Sequence, residues 1–506
     1  MALNDIIFNL GQGGLGRSLP GQDYISGLLF YTGSLPSGFS SSSRIKQIFS
    51  VADAEALGIK ADYSDATAAT GSYLISAKGN TGDTIALSFL GASGSVNTGV
   101  YTVGSSDTTI ALQGAAWAAV INAGTQTHGC TASFTTATLT VTFPKNQGIF
   151  LNSGTPISIA ITGSAFAGTI TQPSGGAYSK QAVWHYHISE YFRKQPQGQL
   201  FLGFFAVPGT YTFAEINTIQ NFANGVIRQF GVYKDSEAFA SGNLTTIQGV
   251  CDGLAAIHMP VSNVLYGSDI SSVTDLSTLA DLSLLSCKNV SAVIAQDGGA
   301  LGAYLYKTTG KSITTLGAAL GTVSLSKVSE DIAYGNKFNI SDGTECDTVA
   351  FANGTLVSTV SNSLLNALDN KRYIFLRKYV GVSGSYFNDS HCAIAESSDY
   401  AYIENNRTID KAVRNVYAAL VTELNGSIVL NSDGTISENS ATYYETKAST
   451  SLDDMVRNTE ISAKSVVVNR TQNVLSTGNL TVTIQIVPIG IARQITVNIS
   501  FTQKIS

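Results

Sequence analysis

Charge is what this chain has least of. It carries 29 Lys and Arg against 35 Asp and Glu among 506 residues, or 13% charged positions, about half the roughly 25% usual in soluble domains. The net charge is -6 and no basic stripe is present, which excludes the electrostatic footprint of a nucleic-acid binder. The longest apolar stretch, residues 200–207, falls far short of the roughly 20 residues that span a bilayer, so no membrane insertion is expected. The start also lacks the basic and long apolar regions of a secretory signal, and export by that route is not expected. Cysteine is sparse: Cys130, Cys251, Cys287, Cys346 and Cys392 are odd in number and far apart, a spacing that suits neither a zinc site nor a redox pair and points to buried thiols in a reducing compartment. What the chain does have is 44% apolar residues and 49 glycines, enough apolar side chain to offset the entropy of folding, in more than one domain.

The few charges are unevenly placed. Across residues 79–177 the only charged side chains are Asp83, Asp107 and Lys145, which marks a separate module. Within it, short runs at 84–90, 100–103, 138–143 and 157–161 are bounded by Gly, Asn and Pro, as half-buried strands are. Residues 115–123 read as a short helix, so the module is expected to be a small, mostly β domain with a neutral surface.

Beyond residue 180 helices and strands alternate. Apolar positions in 213–230 follow helical spacing, whereas 199–207 is a buried-strand run. Further strands are expected at 264–266, 289–295 and 372–380, with helices at 244–257 and 313–333. The best helix covers 409–424, with Thr408 as its cap and Asn425 and Gly426 as its stop. The fold class is α/β (α+β) and multidomain, with a layered α/β core.

Both ends of the chain read as strands. Leu480, Val482, Ile484 and Ile486 alternate with polar residues, Pro488 and Gly490 interrupt, and Ile495, Val497, Ile499 and Phe501 alternate again, predicting two strands joined by a bend. Near the start, Ile6, Ile7 and Phe8 form a short strand candidate before a run containing Gly11, Gly13, Gly14 and Gly16, too glycine-rich for a regular element. A short strand on such a tether is suited to reach a sheet elsewhere, and periodicity leaves open whose sheet that is.

Motifs of chemistry fail on their context. Gly11, Gly13 and Gly16 match a dinucleotide fingerprint as a string, but Pro20 and Gly21 follow where the helix should open, and no acid lies near position 36. Gly310, Lys311 and Ser312 resemble the end of a phosphate loop, yet Leu305 stands where that loop needs glycine. His185 and His187, read as strand residues, would share one face as half a metal site, with no evident third ligand beside Trp184 and Tyr186. Asp453 and Asp454 suit the start of a helix. No catalytic, cofactor or metal set emerges, so the protein is not expected to be an enzyme, and Lys311, His185 and Asp453 are expected to be dispensable for any activity.

The opening residues Met1 to Phe8, the stretch 11–17 and the segment 25–28 resemble the start of contractile tail sheath proteins of bacteriophages. Residues 44–59 are similar to that family's strand-then-helix segment near the front. Residues 400–413, with Arg407 and Asp410, resemble its Arg-(x)2-Asp helix start, the closing segment its terminal β arm, and 79–177 its β insertion, where Lys145 to Gly148 echo only loosely the usual Lys-Gly-(x)2-Gly-Asn. The resemblance implies an N-terminal arm at 1–22, a sheath body at 23–78 and 178–370, an inserted β-rich domain at 79–177, a C-terminal α/β core at 371–478 and a C-terminal β arm at 479–506. It also implies stacked hexameric rings around a tail tube, with baseplate and tail terminator proteins as further partners, in a virion assembled in the bacterial host cytoplasm. Ile6, Phe8, Val482, Ile484, Ile486, Ile495, Val497 and Ile499 are then the expected inter-subunit arm contacts, through strand addition to neighbouring sheets. A different reading is a virion or cell-surface adhesin whose inserted domain binds carbohydrate through Trp117 and Tyr101.

Overall fold

The computed structural model describes residues 23–234, 237–341 and 343–501. Its body is a seven-stranded sheet in the spatial order Tyr373–Ile374, Val290–Val293, Asn263–Gly267, Gln229–Lys234, Ile25–Tyr31, Gln199–Phe205, Ile45–Ile48. Neighbours run parallel except the last pair. All seven residues of the central strand Ile25–Tyr31 are buried, as a parallel strand covered on both faces must be. Such a run has no alternation for a periodicity reading to find.

Each face of that strand meets its own helices. Phe30 packs on Trp184 and His187 of the helix Lys180–Lys194, while Tyr31 points the other way, edge-on to Tyr211 at 4.8 Å and donating a 2.7 Å hydrogen bond to Glu215 of the helix Glu215–Phe222. After Gln199–Phe205 the chain crosses Ile25–Tyr31 to place Gln229–Lys234 on its far side. Doubly wound sheets bind ligands at the carboxyl ends of the strands where the winding reverses. Here Tyr31, Tyr211 and Phe213 fill that crevice, with the Lys234 ammonium 4.2 Å over the Tyr211 ring.

The histidine pair is helical rather than extended, so His185 and His187 do not share a face. Trp184 and Tyr186 made the run look like a strand, but Ser179 caps the segment by accepting from the Ala182 N–H at 2.9 Å and starts a helix. The helix expected at 313–333 is the shorter Leu316–Leu325. It packs backbone to backbone on Lys180–Lys194: a Cβ on Gly317 would lie 2.0 Å from the His187 carbonyl oxygen, and one on Gly321 2.5 Å from that of Tyr191.

The insert is two antiparallel sheets and a helix. Thr131–Thr135, Thr138–Thr142, Thr70–Ala77 and Ala167–Ser174 form one sheet, and Gly94–Thr102, Thr84–Gly91 and Ile157–Thr162 the other. The strand Thr70–Ala77 belongs to the insert although it precedes residue 79; Lys78 at its end, bonded to the Thr108 carbonyl, is the charge that put the sequence boundary after it. The helix starts at Ile110, where Thr109 accepts from the Leu112 N–H. Trp117 is fully buried against Tyr73, and Tyr101 is 4% exposed with its hydroxyl bonded to Asp107. Both are core residues, which removes the sugar platform of the adhesin reading. Thr67 and Ala177 exchange two backbone hydrogen bonds at the neck. The insert rests on the helix Leu301–Thr309 through residues 145–148: Lys145 bonds the Ser64 carbonyl, Tyr304 the Asn146 carbonyl, and Gly148, at φ 53°, meets the Thr308 carbonyl.

The last part of the chain begins in the body, since Tyr373–Ile374 is a body strand. The best helix starts earlier than its sequence suggests, running Ile403–Leu420. Thr408 lies inside it and bonds the Val328 carbonyl, so apolar spacing reported the exposed half while the first turns are buried in the body. Glu438–Thr450, Asp453–Arg457 and an antiparallel hairpin of Ile461–Val468 and Val482–Pro488 complete this part.

Gly317→Val is expected to destabilise the fold by about 1–3 kcal/mol, because the new side chain meets backbone that cannot rotate away. Gly249→Ala in the helix Gly242–Ala256, where a Cβ meets nothing within 4 Å, should stabilise by about 0.5–1 kcal/mol. Denaturant melts of the two variants check both signs.

Candidate assembly interface

The C-terminal hairpin uses its apolar face within its own chain. Ile484 and Ile486 pack on Ala412, Leu452, Met455 and Ile461, and Val482 joins Ile436, Ala441, Tyr444 and Val468. Three residues expected to touch neighbours therefore have partners in their own subunit. Alternation says that one face is covered and not by which chain. Ile495, Val497, Ile499 and Phe501 differ: they are 79%, 70%, 90% and 107% exposed, and the second predicted strand is absent, residues 489–501 forming no regular element. The hairpin sheet has two strands, so both its outer edges carry main-chain groups without a strand partner among the described residues. Beside it lies a cavity of about 600 Å³ lined by Leu420, Leu424, Ile428, Leu475 and Leu480, among others. Ile6 and Phe8, like Gly11 to Gly16, lie outside the described residues.

Helix Ile403–Leu420 fixes the hairpin to the body. Arg407 is 2% exposed, and its guanidinium donates to the Ser326 hydroxyl at 2.7 Å, to the Ser326 and Lys327 carbonyls at 3.2 and 3.1 Å, and to the Asp23 carbonyl at 3.4 Å. Burial pulls it down to about 10, still charged at neutral pH. Asp410, one turn on, does not pair with it. Burial raises the Asp410 carboxyl, opposed by a hydrogen bond from Ser262 and by the charges of Arg414, Lys288 and Arg228.

The helix start carries a second charged site. Asp331, Asp389 and Glu404 are 7%, 8% and 3% exposed, and Arg493 closes over them. Its Nε lies 2.9 Å from Asp389, its Nη2 2.6 Å from Glu404 and 3.4 Å from Asp331, and its guanidinium stacks on the Tyr402 ring at 3.4 Å. The Ser390 hydroxyl donates to Glu404 and the Ala333 N–H to Asp331.

The remaining sequence candidates sit in packed or ion-paired settings. His187 is buried among Phe30, Tyr186 and Tyr233, and burial pulls it down to about 3. His185 bonds Glu55 at 3.0 Å. Gly310 ends the helix Leu301–Thr309 at φ 65°, Lys311 lies 3.8 Å from Asp269, and Asp453 pairs with Lys464 at 2.6 Å. The five cysteines are buried free thiols. Among the described residues no group of three or more His, Cys, Asp or Glu is arranged to hold a metal, and no helix is long and apolar enough to cross a membrane.

Burial, then the charges of Glu404 and Asp389, push Asp331 from its ordinary 3.8 up to about 8. The folded protein thus keeps a proton that the unfolded chain releases near pH 4. This contribution to stability is complete below about pH 4 and is lost as pH rises to 8. Between pH 5 and 8 the melting temperature of the wild type should fall relative to that of Asp331→Asn, as read by scanning fluorimetry across buffers. A constant difference would place the Asp331 carboxyl in its ordinary range.

Three solved structures illustrate what the chain is similar to. The contracted helical sheath of the anti-feeding prophage matches at 15% identity and a TM-score of 0.43, covering 63% of this chain and 81% of that one. The contracted PVC sheath complex of an extracellular contractile injection system matches at 12% and 0.40, covering 63% and 80%. A sheath tail protein from Desulfitobacterium hafniense matches at 10% and 0.36, covering 96% and 100%. No curated protein matches the chain. Residues 3–391 match the family described as DUF2586, N-terminal domain, and residues 399–506 that described as DUF2586, C-terminal domain. With nearly its whole length so matched, the chain belongs to the DUF2586 family.

Proposed function

We propose that this chain is a structural subunit of a contractile tail sheath. It polymerises as stacked hexameric rings around a tail tube, with baseplate and terminator proteins at the ends, and contracts to drive the tube through a host cell envelope for genome delivery. The observation that carries this reading is the pairing of an exposed segment of alternating apolar residues, Ile495 to Phe501, with a two-stranded sheet whose edges lack partners among the described residues. The end-to-end resemblance of the sequence supports it. In this reading the C-terminal segment of one subunit adds to the hairpin of the next, as the N-terminal Ile6 and Phe8 do.

Magnitudes favour a polymer over a dimer. Burying the four exposed side chains contributes about 6–12 kcal/mol, and ordering the seven residues that carry them costs about 7–14 kcal/mol. Main-chain hydrogen bonds at about 0.5–1.5 kcal/mol each tip the balance. One arm alone is marginal, and several arms per subunit in a lattice gain from effective concentration. Arms that stay bound while bodies slide would keep the rings joined through contraction, and the virion tail is where such a subunit resides.

Electron microscopy of purified protein should show tubes or polysheaths. Val497→Asp should abolish them while shifting monomer stability by no more than about 0.5 kcal/mol, as for a surface site. Ile484→Asp should instead destabilise the monomer by about 1–3 kcal/mol, because it places a carboxylate in a packed cluster. Deleting residues 1–16 should also abolish assembly and leave the body folded. Tubes from the Val497→Asp or the 1–16 deletion protein would overturn the arm mechanism.

A further inference from the structure

The start and the middle of helix Ile403–Leu420 hold segments near the two ends of the described chain with opposite charges. At the helix start Glu404, with Asp331 and Asp389, takes Arg493 from the C-terminal segment. Further along, Lys411 and Arg414 take the Asp23 carboxylate at 2.7 and 2.6 Å, and Lys411 also meets Glu460 at 2.6 Å. Neither grip is a loose surface pair. The three carboxylates under Arg493 are nearly sealed from water, and Asp23, Lys411 and Arg414 have side chains only 13%, 12% and 17% exposed.

We propose that Asp331, Asp389, Glu404 and Tyr402 form a binding site for the guanidinium of the chain's own extended C-terminal segment. With Lys411 and Arg414 on Asp23, this makes Ile403–Leu420 a clasp that fixes where both terminal segments leave the subunit. Three acidic side chains converging on one point cannot all ionise unless a cation sits among them, and the proton that Asp331 retains leaves Asp389 and Glu404 to face the guanidinium. A planar fork meets two of them at once and lays its face on an aromatic ring, which an ammonium cannot do equally. Residues 489–501 form no regular element, so Arg493 is the point at which side-chain chemistry, rather than a ladder of main-chain bonds, holds that segment down.

The clasp sets a leash length. With Arg493 seated, the 8 residues from Gln494 to Phe501 reach at most roughly 30 Å. With it released, the pivot moves back to Pro488 and the 13 residues beyond it to Phe501 reach roughly 45 Å. The clasp belongs to the single subunit and does not depend on whether the protein polymerises.

The test uses the unassembled full chain with a spin label on a cysteine at position 496, the five native thiols being buried. In the wild type the label is expected to be restricted. Arg493→Gln should shorten its rotational correlation time several-fold, and the Asp389→Asn, Glu404→Gln double variant should do the same. Arg493→Lys, which keeps the charge and loses the fork, should fall between. A label equally mobile in the wild type and Arg493→Gln overturns the proposal, as does a wild-type label as free as that on the isolated peptide. The melting temperature of Arg493→Gln confirms that any change arises in a folded subunit.

Discussion

A guanidinium taken out of water costs several kcal/mol unless acceptors surround it, and Arg407 satisfies that demand with acceptors from two separate stretches of chain. Ser326 and Lys327 lie just after a body helix, Asp23 just before the central strand, and Arg407 itself on the C-terminal helix. All its acceptors are neutral oxygens, so no single carboxylate can substitute for the assembled site. The helix therefore docks where these oxygens meet. Its docked position in turn fixes the hairpin, the carboxylates under Arg493 and the ion pairs to Asp23.

From that joint outward the molecule divides into a closed part and an open part. The body sheet is covered on both faces, and the crevice where related topologies bind small molecules is filled by Tyr31, Tyr211 and Phe213. Gly317 and Gly321 let two body helices touch through their backbones, which leaves little room for sliding. The C-terminal part has small cores, strand edges without partners among the described residues, and the run of exposed alternating apolar residues. Close packing and exposed apolar surface are thus segregated along one chain.

What could be read from the sequence followed the physics of pattern. Alternation found the hairpin strand at Val482 to Ile486 and the insert's strands, because one face of each is wet. It missed Ile25–Tyr31, buried on both faces and so without a period. Aromatic neighbours made a helix around His185 and His187 resemble a strand, since local composition does not register a cap such as Ser179. The run at Ile495 was read as a strand, and its alternation is real, but a strand needs a partner that the described residues do not supply. Arg493 left no signal at all: an isolated arginine in a tail becomes informative only once Asp331, Asp389 and Glu404, distant in sequence, are seen beneath it.

The neck of the insert has a further consequence. Because Thr67 and Ala177 are hydrogen-bonded neighbours, everything between them leaves and re-enters the body at essentially one point. A gene could lose, gain or exchange that whole stretch and close the gap with a short turn, without altering any strand of the body sheet. The junction is therefore the point at which that stretch could be exchanged with the least change to the backbone of the body.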